Sequence, residues 1–171
     1  MTRALLFMAL VSVAACGPAP GPAGADPETL ARGLMAVWES GDTRGLDTLT
    51  AERIRYDDVP NGMRLGGREA VRAYIDQVHA WADNVSITID TVTSGPTAAT
   101  IEWTMHAVQD RPIPGRVPVA TNRTVTLRGA TIVEVADGRI VRAADYLDTL
   151  GFLLQLGAKV ELPGGVTLGP G

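Results

Sequence analysis

Residues 133–148 read VEVADGRIVRAADYLD, and this stretch decides the fold. Asp137-Gly138 is a hairpin signal, because both residue types tolerate the positive φ of a tight turn. The flanking runs, Arg123 to Val135 and Arg139 to about Leu147, are then antiparallel neighbours, the first bending at Gly129. A period of two places Val141, Ala143, Asp145 and Leu147 on one face of the last strand. A carboxylate among apolar side chains is costly to keep charged without a partner. Burial should raise the pKa of Asp145 and suit it to general acid or base work. The same pattern also fits an aspartate ion-paired to a neighbouring strand for structural reasons.

Moving upstream, a Pro/Gly-rich loop at 110–118 separates this hairpin from two further strands. Val85, Ile87 and Ile89 alternate with polar residues in one, and Ala99, Ile101, Trp103 and Met105 share a face of the other. Before residue 85 the period is largely helical. Asp26-Pro27-Glu28 is a helix start, followed by Leu30, Leu34, Val37 and Trp38 on one stripe. A short second helix is expected around Leu46 to Leu49. A third follows Gly66-Gly67, with Val71, Tyr74, Ile75, Val78 and Trp81 at helical spacing. Ile54 to Asp58 reads as a short strand or extended segment before the Pro60-Asn61-Gly62 turn. Leu150 to Leu156 forms a short closing helix. The expected domain spans 26–157 and is α+β, a cone-shaped curved antiparallel sheet of about four strands covered by three N-terminal helices. Residues 158–171 read as a Gly/Pro-rich tail, and a cone of this kind encloses a pocket.

Order and spacing of several strings resemble the SnoaL-like branch of the nuclear transport factor 2-like superfamily. These are Gly41-Asp42 with Leu46 and Leu49, Gly67-Arg68-Glu69-Ala70-Val71, residues 133–148, and Leu153-Leu154-Gln155-Leu156-Gly157. The resemblance covers roughly residues 27–157. It implies a pocket with an acid/base aspartate, as in polyketide cyclases, and Asp145 falls at the matching place. The string Ala144 to Asp148 is also similar to the last strand of limonene epoxide hydrolases. Those enzymes carry an arginine and an aspartate on an earlier strand, where this chain has Trp103 and Met105, so epoxide hydrolysis is not expected. Asp58 falls where ketosteroid isomerases carry their proton-shuttling aspartate. The isomerases' second acid would lie near Gly129 or Ala130, where this chain has none. The alternative for Asp58 is a loop residue beside the Pro60 turn. Trp103, Tyr56, Tyr74 and Met105 are the candidate ligand-binding residues, with Trp38 and Trp81 as further aromatics that could line a pocket or simply pack.

The first fifteen residues stand apart. Arg3 precedes an apolar run, Ala4 to Val13, too short to span a bilayer, so 1–15 reads as a signal peptide. Val13-Ala14-Ala15-Cys16 resembles a bacterial lipobox, and Cys16 is the sole cysteine, without a disulfide partner. An acylated Cys16 and a flexible tether over 16–25 would place the domain on a membrane, with the outer membrane facing the periplasm as the expected site. The membrane is then contacted through the lipid only.

The chain carries 15 basic and 19 acidic residues, a net charge of −4, with the basic residues scattered singly. That pattern opposes nucleic-acid binding, which needs a clustered cationic surface. His79 and His106 lack metal-ligand spacing, and neither a nucleophile elbow nor a phosphate loop is present. No metal and no cofactor are expected. The expected partner is a small hydrophobic molecule, and the resemblance allows a homodimer. Two functions fit these residues. One is an envelope lipoprotein whose pocket binds the hydrophobic ligand; the other is a cyclase-like or isomerase-like enzyme using Asp145 as acid/base.

Overall fold

The computed structural model describes residues 24–169. Cys16, the leader and most of the tether lie outside the described residues. Helix α1 (Pro27–Ser40) begins as its sequence dictates: the Asp26 carboxylate accepts from Thr29 N at 3.0 Å, and Pro27 occupies the first turn, where no amide partner is required. Such a cap stabilises a helix by about 1 kcal/mol. Gly41 ends it in the left-handed conformation. Leu30, Leu34 and Val37 turn inward as one stripe. A short turn leads to α2 (Leu46–Leu49), and α3 (Arg68–His79) buries Val71 and Ile75.

The sheet has six strands: β1 (Thr50–Asp58), β2 (Met63–Gly66), β3 (Ala82–Ser94), β4 (Ala98–Gln109), β5 (Arg123–Ala136) and β6 (Arg139–Leu147). Their spatial order is β2-β1-β6-β5-β4-β3. Helix α4 (Thr149–Gln155) closes the end of β6, capped by the Asp148 carboxylate on Gly151 N. The α+β class and the four long strands match the sequence reading. Two further strands, β1 and β2, extend the sheet, and they lie between helices rather than after them. β1 pairs parallel with β6, so the sheet is mixed rather than wholly antiparallel. Pairing between segments so distant in the chain leaves no local sequence signal.

The β4–β5 register runs unbroken through Trp103↔Gly129. The glycine there serves a close approach. A Cβ at this position would stand 2.6 Å from Trp103 Cζ2 and 2.8 Å from the Tyr146 carbonyl oxygen. The supposed tail also contains structure: Val160–Leu162 and Val166–Leu168 form a small hairpin around Gly164-Gly165.

Inside the concave face, alternation along β4 buries Ala99, Ile101, Trp103, Met105 and Ala107 against the helices. Each large aliphatic side chain buried this way stabilises the fold by about 1.5–3 kcal/mol. This apolar layer gives way to carboxylates at the ends of β1 and β6.

Candidate functional site

Asp58 and Asp145 are register partners on the parallel strands β1 and β6. Partners in a parallel pair direct their side chains to the same face of the sheet, so both carboxylates enter the concave side. Asp145 is 6% exposed and Asp58 1%. Both line a cavity of about 150 Å³, large enough for a single six-membered ring. The walls are mostly apolar and aromatic: Met35, Trp38, Trp81, Met105, Leu127 and Phe152.

Two hydroxyls hold Asp145. Thr131, its register partner on β5, donates from Oγ1 to Oδ1 at 2.6 Å, and the Tyr56 hydroxyl donates to Oδ2. Each hydroxyl has a single proton, and an indole fixes where it points. Trp103 Nε1–H donates to Thr131 Oγ1 at 2.9 Å, and Trp38 Nε1–H donates to the Tyr56 oxygen at 3.0 Å. An indole nitrogen can only donate. Both hydroxyls therefore receive from tryptophan and give to the carboxylate. Burial raises the Asp145 carboxyl to about 6, against the pull of the Thr131 and Tyr56 hydrogen bonds; the neighbouring Asp58 charge adds to the rise. Burial, and then the Asp145 charge, push the Tyr56 phenol well above its usual value, so it stays a donor.

Asp58 is held differently. Asn61 donates to it twice, from its backbone N at 3.2 Å and its Nδ2 at 2.6 Å, and Tyr74 donates from α3. It is therefore a buried strand residue facing the cavity, not the loop residue that the Pro60 turn suggested. Burial and the Asp58 bond raise the Tyr74 phenol far above its ordinary range. Tyr74 and Trp38 meet edge to face, with ring centroids 5.6 Å apart, which ties the two carboxylate clusters together. His79 Nε2 lies 2.8 Å from the Trp38 carbonyl oxygen, at the end of α1. His106 is exposed on the other face of the sheet, beside Thr126.

Of the residues singled out from sequence, Asp145, Asp58, Tyr74, Trp103 and Met105 line the cavity. Tyr56 does not. It is fully buried behind the wall, where its hydroxyl serves Asp145 rather than a ligand. Thr131, Asn61 and Arg116 also reach the cavity and carried no signal in the sequence. Thr131 sits in an alternating strand like any other threonine, and only the β5–β6 register brings it to Asp145.

A family model for the SnoaL-like domain matches residues 31–143, well over half of the chain. The chain belongs to the SnoaL-like domain family. Asp145 lies just beyond the matched stretch, so the case for it is geometric. Among curated proteins no sequence matches this SnoaL-like chain. Solved structures do resemble it. TsrD from Streptomyces laurentii is 28% identical, with a TM-score of 0.67 over 77% of this chain and 94% of that one. IdmH from Streptomyces antibioticus, described as a candidate polyketide cyclase, is 20% identical, with a TM-score of 0.68 over 78% of this chain and all of its own length. A hypothetical protein of ketosteroid isomerase-like fold from Catenulispora acidiphila, solved with trimethylamine, is 24% identical, with a TM-score of 0.62 over 77% and 93%. The last two likenesses establish the SnoaL-like cone and leave the chemistry to the site.

Proposed function

We propose that this SnoaL-like domain is an acid/base enzyme in which Asp145 moves a proton on a small hydrophobic carbonyl compound. One observation carries the reading: a buried carboxylate faces an apolar cavity with both oxygens held by hydroxyls whose protons are fixed in direction. A group whose pKa lies near the working pH is both a sufficient base and a usable acid. Ionised Asp145 takes a proton from the carbon beside the carbonyl, and the electron pair moves onto the carbonyl oxygen. In a double-bond isomerisation the electron pair returns and Asp145 gives the proton to another carbon. In an aldol cyclisation the enolate carbon bonds to a second carbonyl carbon, and Asp145 gives the proton to the alkoxide oxygen formed there. Asp58, accepting from Asn61 and Tyr74, orients and does not take up the proton.

The description of IdmH as a candidate polyketide cyclase agrees with this reaction class. We also propose that the domain works in the cell envelope on a lipid carried by Cys16, as the lipobox-like Val13-Ala14-Ala15-Cys16 suggests. The apolar walls favour a second reading, a shell that carries a hydrophobic ligand without changing it.

Exchange of the α-protons of cyclohexanone and its unsaturated analogues in D₂O, followed by ¹H NMR, separates the two. Enzyme-dependent exchange that falls roughly a hundredfold or more in Asp145→Asn supports catalysis. Ligand binding without exchange by the wild type supports the carrier and removes the enzyme.

A further inference from the structure

The loop between β4 and β5 is built rather than slack. Ile113 and Val117 exchange backbone hydrogen bonds of 2.8 and 2.9 Å, and Gly115 takes φ 74 between them. Ile113 is buried. Gln109, fully buried at the loop's root, donates to the carbonyls of Arg111 and Val119 and accepts from Thr121 N and Oγ1. This scaffold sets Arg116 at the mouth of the cavity. Among the described residues it is the only basic group in the cavity lining.

The partner of Arg116 is neutral. Its Nη1 donates to Asn61 Oδ1 at 2.6 Å, and Asn61 is turned that way because its Nδ2 is committed to Asp58. Among the described residues no carboxylate oxygen lies within ion-pair distance of this guanidinium, and its Nε and Nη2 donate to nothing. A cation at the rim of an apolar cavity with free, forked donors matches a carboxylate. Asp58, bonded to the same Asn61, accepts three hydrogen bonds, which lessens its repulsion of an incoming anion.

From this geometry we infer that the pocket selects a small ring-bearing carboxylic acid, with the apolar body inside and the carboxylate on Arg116 at the mouth. The inference rests on the cavity being a ligand site, as proposed above, and not on Asp145 performing chemistry.

Phenylacetate and phenylethanol share a ring and a carbon skeleton and differ in the anion. Calorimetric titration of the full chain should show phenylacetate bound about tenfold more tightly, as expected for one charged hydrogen-bonded contact. Arg116→Gln should erase that preference. Equal affinities in the wild type, a preference that survives Arg116→Gln, or binding of neither compound would each overturn the inference. An intact acid preference with no α-proton exchange would contradict the catalytic reading alone.

Discussion

Thr131 has one proton to give, and the Trp103 indole decides that it goes to Asp145. Thr131→Val removes one of two hydrogen bonds that favour the ionised carboxylate, so the Asp145 pKa should climb above about 6. It also strands the buried Trp103 N–H, at a cost of about 1–3 kcal/mol in urea unfolding. An unchanged carboxyl titration in that variant would mean that Thr131 does not hold the charge. At this scale the sequence was half legible. The period of two exposed Asp145, since its neighbours on the face are apolar. Its donors were hidden: Tyr56 stands 89 positions away and Thr131 14, and no local pattern encodes which rungs of separate strands coincide. Asp58 misled for a related reason, because an acid before Pro60-Asn61-Gly62 looks like turn chemistry whether or not a strand buries it.

Strands β4 and β5 meet most closely where Trp103 lies over Gly129. Gly129→Ala would press a methyl into the indole and against the Tyr146 carbonyl oxygen, which as backbone cannot turn aside. The variant should lose about 1–3 kcal/mol of stability by thermal or urea unfolding, as overpacked sites do. It should also quench ligand binding, because Trp103 is both a wall of the cavity and the donor to Thr131. Full stability in Gly129→Ala would contradict the close approach. The helices and the four long strands were legible in the sequence through period, caps and the Asp137-Gly138 turn. β1 was seen only as a fragment, since Glu52 and Arg53 are charged and exposed near its start. The four-residue β2 follows a turn and is too short to establish a period.

For the whole molecule, retaining Asp145 in the cavity has a stability cost whose sign is fixed. The folded carboxyl sits at about 6 against an ordinary 3.8, so the native state holds its proton more tightly than the unfolded chain. Between pH 4 and 6 the unfolded chain releases that proton first, and this group's contribution to stability falls as pH rises, then levels off above 6. The full shift corresponds to about 3 kcal/mol. Asp145→Asn lacks the titration, so its stability relative to wild type should move in the variant's favour by about that amount between pH 4 and 7. Urea unfolding at the two pH values measures the difference, and a pH-independent gap would contradict it. Such a cost is the kind that functional sites retain. Attachment to a membrane is tested separately: labelled palmitate should enter the wild-type chain expressed in bacteria and not Cys16→Ser, and equal labelling would exclude Cys16 as the anchor. The central claim, that the cavity holds a poised proton carrier, is tested most directly by ¹³C NMR titration of the Asp145 carboxyl carbon in the full chain. A midpoint near 6, with reactivity of the base rising through the same pH, is the expected result. A midpoint at or below the ordinary value of about 3.9 would make Asp145 a solvated or ion-paired carboxylate and would contradict the proton-transfer function.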